Sequence, residues 1–297
     1  MKIVFFGCGY LGYNLSEGLS EIHDVQVWGL ASPYSEKSSC FTEVDIFNGS
    51  FNQVQLDFLK GAIVVDTMSL LSSLSQSQDE EEELEKISDI YKEMWNRLAQ
   101  CKIDNYYFLS SGGTIYGSSE KALTEKASLQ PTTLYAKSKV MLETQLQMCE
   151  FTSLILRVSN PYGGYQLSGK RQGVIPILVE KALSKEVFEL WALLSSCRDY
   201  LYIDDMIEYF KRLVHLEIKN EILNLGSGVG VTLQELIQEI EMQVGKIVIE
   251  AKEEPVNQVH SIVLNTTKLQ QLTNYQPTTT LHEGVAKEVK RIKEERL

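Results

Sequence analysis

Two groups of residues in this chain have types and spacings that could do chemistry. The first is Gly7-Cys8-Gly9-Tyr10-Leu11-Gly12, a Gly-x-Gly-x-x-Gly directly after the apolar run Ile3–Phe6. Gly7 allows a tight turn, Gly9 lets a pyrophosphate approach the backbone, and Gly12 permits close helix–strand packing. A helix opening at Tyr10 and Leu11 adds free N–H groups and the positive end of its dipole. In a strand–turn–helix setting this pattern reads as a dinucleotide-binding turn. The second group is Tyr135 and Lys139. Of 14 tyrosines, only Tyr135 has a lysine four residues on. On a helix, positions i and i+4 share a face. An ammonium beside a phenol favours the phenolate, drawing a pKa of about 10 towards neutrality, as a general base requires. Composition alone yields about one such pair by chance. The weight therefore lies in its setting, at the opening of a helix from Thr132 to about Met148 that follows Pro131.

Those side chains need a frame, and the sequence supplies one. Strands are expected at Ile3–Phe6, Val25–Leu30, Phe41–Val44, Ala62–Asp66, Tyr106–Leu109 and Ser153–Val158. Most are continuous apolar runs, as expected of parallel strands covered on both faces. Helical stretches between them give the alternation of a parallel sheet with crossover helices. A long helix is expected from about Glu83 to Gln100, with Leu84, Ile87, Ile90, Tyr91, Met94 and Leu98 on one face. The run Asp79–Glu83 sits at its start, where carboxylates complement the dipole, and Ser69–Gln78 reads as a surface loop. After residue 160 the rhythm changes: Gly163-Gly164 and Gly169–Gly173 break the pattern, and irregular short elements follow. Leu281–Leu297 reads as a charged terminal helix. The expected partition is 1–160 for a dinucleotide-binding domain and 161–297 for a smaller lobe, with some later segments free to return to the sheet.

The 297 residues carry 28 Lys+Arg and 40 Asp+Glu, a net charge of −12. A nucleic-acid binder would need a basic footprint, and an anionic membrane surface would repel this balance. No apolar run reaches the roughly 18 residues that span a bilayer. The N-terminal apolar run is too short for a signal-peptide core, so a cytoplasmic protein is expected. Five scattered cysteines form no Cys-x-x-Cys pair, and the four histidines lie far apart, so neither a disulfide framework nor a metal site is expected.

Cofactor choice is less sharply written. An acid after the second strand would hold the ribose hydroxyls of NAD, yet Val25-Gln26-Val27-Trp28 runs into Gly29, with no Arg for a 2′-phosphate either. Asp45, just past the third strand, could accept from an adenine amino group or cap its own turn. The cofactor is read as NAD(P), with NAD first.

With these motifs in order, the chain resembles the extended short-chain dehydrogenases/reductases of the NAD-dependent epimerase/dehydratase family. The resemblance also rests on Leu109-Ser110-Ser111-Gly112-Gly113-Thr114-Ile115-Tyr116-Gly117 and Leu156-Arg157-Val158-Ser159-Asn160-Pro161-Tyr162-Gly163. Further on it includes Arg198-Asp199-Tyr200-Leu201-Tyr202-Ile203-Asp204-Asp205 and Asn224-Leu225-Gly226-Ser227-Gly228. It implies a Rossmann-type doubly wound parallel α/β sheet with a smaller C-terminal α+β substrate lobe. It also implies a nucleotide-sugar substrate, and it admits a homodimer through a four-helix interface.

The resemblance further implies roles. A hydroxyl beside Tyr135 should bind the reacting sugar oxygen. The family's usual Ser/Thr position is Gly112 here, so Thr114 is the first choice and Ser111 the second. Lys139 should also hold the nicotinamide ribose, while Asn160 and Arg198 match positions that bind the substrate pyrophosphate. Two departures stand out. Trp191–Cys197 replaces a Gly-rich turn, and the second phosphate-binding Arg is missing from Lys252–Gln258, leaving Lys252 as its nearest substitute. The implied activity is epimerisation of a nucleotide-activated hexose by transient oxidation, at C4. The alternatives are an NADPH-dependent 4-keto nucleotide-sugar reductase and, from another class, a non-catalytic dinucleotide-sensing protein.

Overall fold

A computed structural model describes residues 1–49, 51–72, 74–167, 173–253 and 260–296. The chain starts with β1 (Lys2–Phe6), whose last four side chains are buried, then turns through the glycine motif into α1 (Tyr10–Ser20). β2 (Asp24–Gly29), β3 (Phe41–Glu43), α2 (Gln53–Leu59) and β4 (Ile63–Asp66) follow. Next come α3 (Glu80–Gln100), β5 (Asn105–Ser111), α4 (Leu134–Leu146) and β6 (Ser153–Val158).

The remaining chain forms β7 (Asn160–Tyr162), α5 (Val174–Ser184), β8 (Val187–Leu190), β9 (Cys197–Tyr202) and α6 (Ile203–His215). It continues with β10 (Glu221–Leu225), β11 (Gly230–Thr232), α7 (Leu233–Val244), β12 (Val248–Ala251) and β13 (Ser261–Ile262). α8 (Thr267–Thr273) and α9 (Leu281–Glu294) close it.

Seven strands form one sheet in the order β10-β6-β5-β4-β1-β2-β3. Every neighbouring pair is parallel, so this is the doubly wound Rossmann-type sheet. The strand order reverses between β1 and β4, and ligands bind such sheets at the carboxyl ends of the strands there. Helices cover both faces, as an all-parallel sheet requires. One core packs α1 and α6 against residues such as Ile3, Phe5 and Tyr107. The other packs α3 and α4 against Val4, Phe6, Tyr106 and Phe108. Leu15 of α1 is fully buried in the first, and truncation to Ala there should cost roughly 2–5 kcal/mol.

Sequence and structure differ in instructive ways. α3 begins at Glu80 rather than near Glu83: Asp79 caps it by accepting from Glu82 N–H at 3.0 Å, so the acidic run forms the first turn itself. α6 packs on α1, and β10 adds to β6 from far along the chain. The second lobe is built on β9, which pairs with β7, β11 and β13, and on the β8–β12 ribbon. Gly169 of the glycine-rich break lies outside the described residues. Among the described residues no helix is long and apolar enough to cross a membrane, and no three potential metal ligands come together. All five cysteines are free thiols.

Candidate active site

The glycine motif takes the form its chemistry needs. Gly7 has φ +94°, open to glycine but strained for other residues. A Cβ on Gly12 would lie 2.1 Å from Gly7 O, so the helix packs at a distance only glycine permits. A Cβ on Gly9 would meet nothing within 4 Å. Gly9 is the N-cap of α1, with no side-chain cap and no acid in the first turn. Open space in front of uncapped N–H groups is what a pyrophosphate requires, so the residues present fit a dinucleotide. Tyr10 turns its hydroxyl away from that space, donating to Gly163 O at 2.9 Å, and Leu11 packs against the core. Cys8, in the middle of the turn, is pushed up to about 11 by burial and stays a thiol at neutral pH.

Tyr135 and Lys139 lie on the first turns of α4, which Thr133 caps by accepting from Ala136 N–H. Lys139 is buried, with Nζ 5.8 Å from the Tyr135 ring centroid and 4.7 Å from that of Phe108. It donates to Leu109 O at 3.0 Å and Met68 O at 3.5 Å. Met68 also packs against Gly7, where an added Cβ would come within 2.9 Å of Met68 Cγ. The lysine and the glycine turn are therefore joined through one residue.

The hydroxyl pair sits at the end of β5. Thr114 Oγ1 donates to Ser111 Oγ at 2.9 Å. Gly112 has no room for the side chain that the resemblance would place there: its Cβ would lie 2.7 Å from Leu264 Cδ1 and 2.8 Å from Arg157 O. Beside this pair, a Cβ on Gly113 would be 3.4 Å from Asn160 Oδ1. Asn160 Nδ2 donates to Asp199 O, and Asn160 and Arg198 both line a cavity of about 270 Å³ with Tyr162, Ile175, Tyr200 and Leu233. Arg198 donates to Cys197 O and His260 O, and burial draws its pKa down.

Two sequence candidates stand apart from this track. Asp45 accepts from Phe47 N–H, Asn48 N–H and Asn48 Nδ2. These bonds cap its own turn and hold its carboxyl below the ordinary range, led by the bond from Asn48 N–H. Lys252, just past the end of β12, lies against Glu250 at 2.5 Å and Glu189 at 3.5 Å and is not among the residues lining the cavity. Residues 254–258 of its segment lie outside the described residues.

Sequence reading missed Asp66, fully buried at the end of β4, whose carboxylate accepts from Tyr106 Oη at 2.7 Å and Met68 N–H at 2.8 Å. An acid closing an apolar strand beside the switch point was the available signal. It also missed Thr67, whose hydroxyl reaches both Phe6 O and Gly7 O at 2.9 Å and braces the turn.

A family model described as the NAD dependent epimerase/dehydratase family matches residues 5–226. The chain belongs to the NAD-dependent epimerase/dehydratase family. Family membership makes it an enzyme that uses NAD(P). Among curated relatives, a dTDP-4-dehydro-6-deoxyglucose reductase of Escherichia coli is 28% identical over 97% of this chain and 96% of that protein. A putative UDP-glucose 4-epimerase of Methanocaldococcus jannaschii is 29% identical over 65% of this chain and 64% of its own length. The fold superposes on UDP-glucuronic acid 4-epimerase of Bacillus cereus, solved with UDP-glucuronic acid and NAD, at TM-score 0.87 and 20% identity, covering 99% of this chain and all of that one. A UDP-glucose 4-epimerase of Thermotoga maritima gives TM-score 0.85 at 21% identity, with full coverage of both.

Proposed function

We propose that this member of the epimerase/dehydratase family is an NAD(P)-dependent 4-epimerase of a nucleotide-activated hexose. One observation carries the reading. The buried Lys139 ammonium lies beside the Tyr135 ring, and the Ser111–Thr114 hydroxyl pair leads past Asn160 to the cavity that Arg198 lines.

In this reading Tyr135 takes the proton of the sugar C4 hydroxyl. Lys139 sets its positive charge beside the Tyr135 ring and directs its remaining donor capacity at the cofactor ribose. Thr114, with Ser111 behind it, hydrogen-bonds the same sugar oxygen and holds it in line. Asn160 and Arg198 hold the pyrophosphate and leave the sugar at the hydroxyl pair. A nicotinamide held there would supply the hydride acceptor and donor that reversible oxidation at C4 needs. The open ground over Gly9 would receive the dinucleotide pyrophosphate.

A second reading is a 4-keto nucleotide-sugar reductase, favoured by the E. coli reductase that aligns over 97% of the chain. The neutral end of β2 at Gly29 would tolerate a 2′-phosphate, as that reading requires. Cofactor stoichiometry separates the two. An epimerase turns over without consuming added dinucleotide and retains its own; a reductase spends one NADPH per product. A sensing protein would bind dinucleotide and turn over neither substrate. We also place the protein in the cytoplasm and treat a homodimer as its working assembly; a monomeric mass in solution would remove the latter.

A further inference from the structure

Lys139 is a buried ammonium whose hydrogen bonds, among the described residues, go to two backbone carbonyls and not to a carboxylate. A charge in that position needs compensation from a neighbour. Asp66 and Phe108 are register partners on β4 and β5, so their side chains share one face of the sheet. The ammonium lies over the Phe108 ring on that same face. The carboxylate grips Met68 by its N–H, and the ammonium grips Met68 by its carbonyl. A single residue, itself packed against Gly7, is held between the two opposite charges.

We propose that Asp66 is the counter-charge of Lys139, a positioning residue that keeps the ammonium protonated and aimed while the site awaits its dinucleotide. The groups facing Asp66 are Lys139 from α4, the Tyr106 hydroxyl from β5, the Tyr91 phenol from α3 and the Met68 N–H. Burial pushes the Asp66 carboxyl up, while the Lys139 charge, the Tyr106 hydroxyl and the Met68 N–H draw it back down. Tyr135 faces the same cluster through Tyr91. With Asp66 ionised, the ammonium has a partner. With Asp66 protonated, the ammonium loses that partner. The benefit to catalysis rests on the function proposed above; the pairing itself does not.

The test is a pH titration of lysine Cε resonances in isotope-labelled full-length protein without dinucleotide, with Lys139 assigned by its absence in Lys139→Met. Asp66→Asn keeps an acceptor for Met68 N–H and removes the charge. It should move the Lys139 midpoint down by at least about one pH unit. An unchanged midpoint overturns the proposal. If Asp66→Asn does not fold, Tyr106→Phe decides: losing that hydroxyl raises the proton affinity of Asp66. The acid-side change in the Lys139 resonance should then appear at higher pH than in wild type, and no displacement overturns the proposal. Binding of NAD and NADP to the same proteins separates the two ideas. A shifted Lys139 midpoint in a protein that binds neither dinucleotide supports the pairing and sinks the functional reading.

Discussion

Helix α4 carries two buried charges one turn apart, and the protein treats them in opposite ways. Glu143 meets Arg157 in a bidentate pair, with both side chains at most 5% exposed. Arg157 also donates to Tyr116 Oη and Glu125 O, and Tyr116 Oη passes the chain of bonds on to Asn224. That network has its donors and acceptors matched within the protein, tying α4 to β6 and β10. Among the described residues Lys139 makes no such pair. It rests on a phenylalanine ring and two carbonyls, with its counter-charge across a backbone residue. A saturated pair fixes a helix. An incompletely satisfied cation on the same helix leaves donor capacity that a ligand can use.

Substitutions can break that comparison. The largest effect is expected at Lys139→Met, which should cut turnover by about 10²–10⁴-fold and weaken dinucleotide affinity at least about tenfold. Its thermal stability should fall by less than that of Glu143→Ala, because Asp66, left without the ammonium, can take up a proton and keep its bonds to Tyr106 and Met68. A large loss of stability, read by calorimetry, would show that Lys139 is structural after all. Glu143→Ala should behave in reverse. Stranding Arg157 should cost about 3–5 kcal/mol of stability, while the folded fraction, measured by active-site titration, keeps its turnover. If turnover per folded molecule collapses, the two charges are not separable.

Smaller effects probe the edges. Arg198→Ala should raise KM for the nucleotide sugar by roughly 10–100-fold and leave kcat within a few-fold, consistent with a lost charged hydrogen bond. An unaltered KM would place the clamp elsewhere. The smallest effect is expected at the α4 cap. Thr133→Ala should cost about 1 kcal/mol in denaturant melts without altering kcat; a changed kcat would mean the cap aims Tyr135 and Lys139.

The cofactor half was largely legible because its signals are local. An apolar strand, three glycines and a helix lie within twenty residues, and the structure keeps them in that order. Gly7, Gly9 and Gly12 each have a reason that a chain pattern can carry. The Tyr135–Lys139 spacing was equally readable, since i and i+4 need only a helix. What the sequence did not reveal depends on distant pairing. Asp66 acquires its meaning from β5 and α4, forty and more residues away. Lys252 looked available for phosphate until β8 and β12 paired and set it against Glu189 and Glu250. The absence of a hydroxyl at Gly112 was visible in the sequence, but its cause, the Leu264 side chain, was not.

The central claim is that Tyr135 moves the proton at sugar C4. The most direct measurement follows C4-isomer interconversion by NMR in UDP-hexose and dTDP-hexose samples given wild type or Tyr135→Phe, with bound dinucleotide quantified in both proteins. Wild type should interconvert the isomers, Tyr135→Phe should do so at least about 10²-fold more slowly, and the two should hold equal dinucleotide. Equal rates in the two proteins, or no interconversion by dinucleotide-loaded wild type, would contradict that claim.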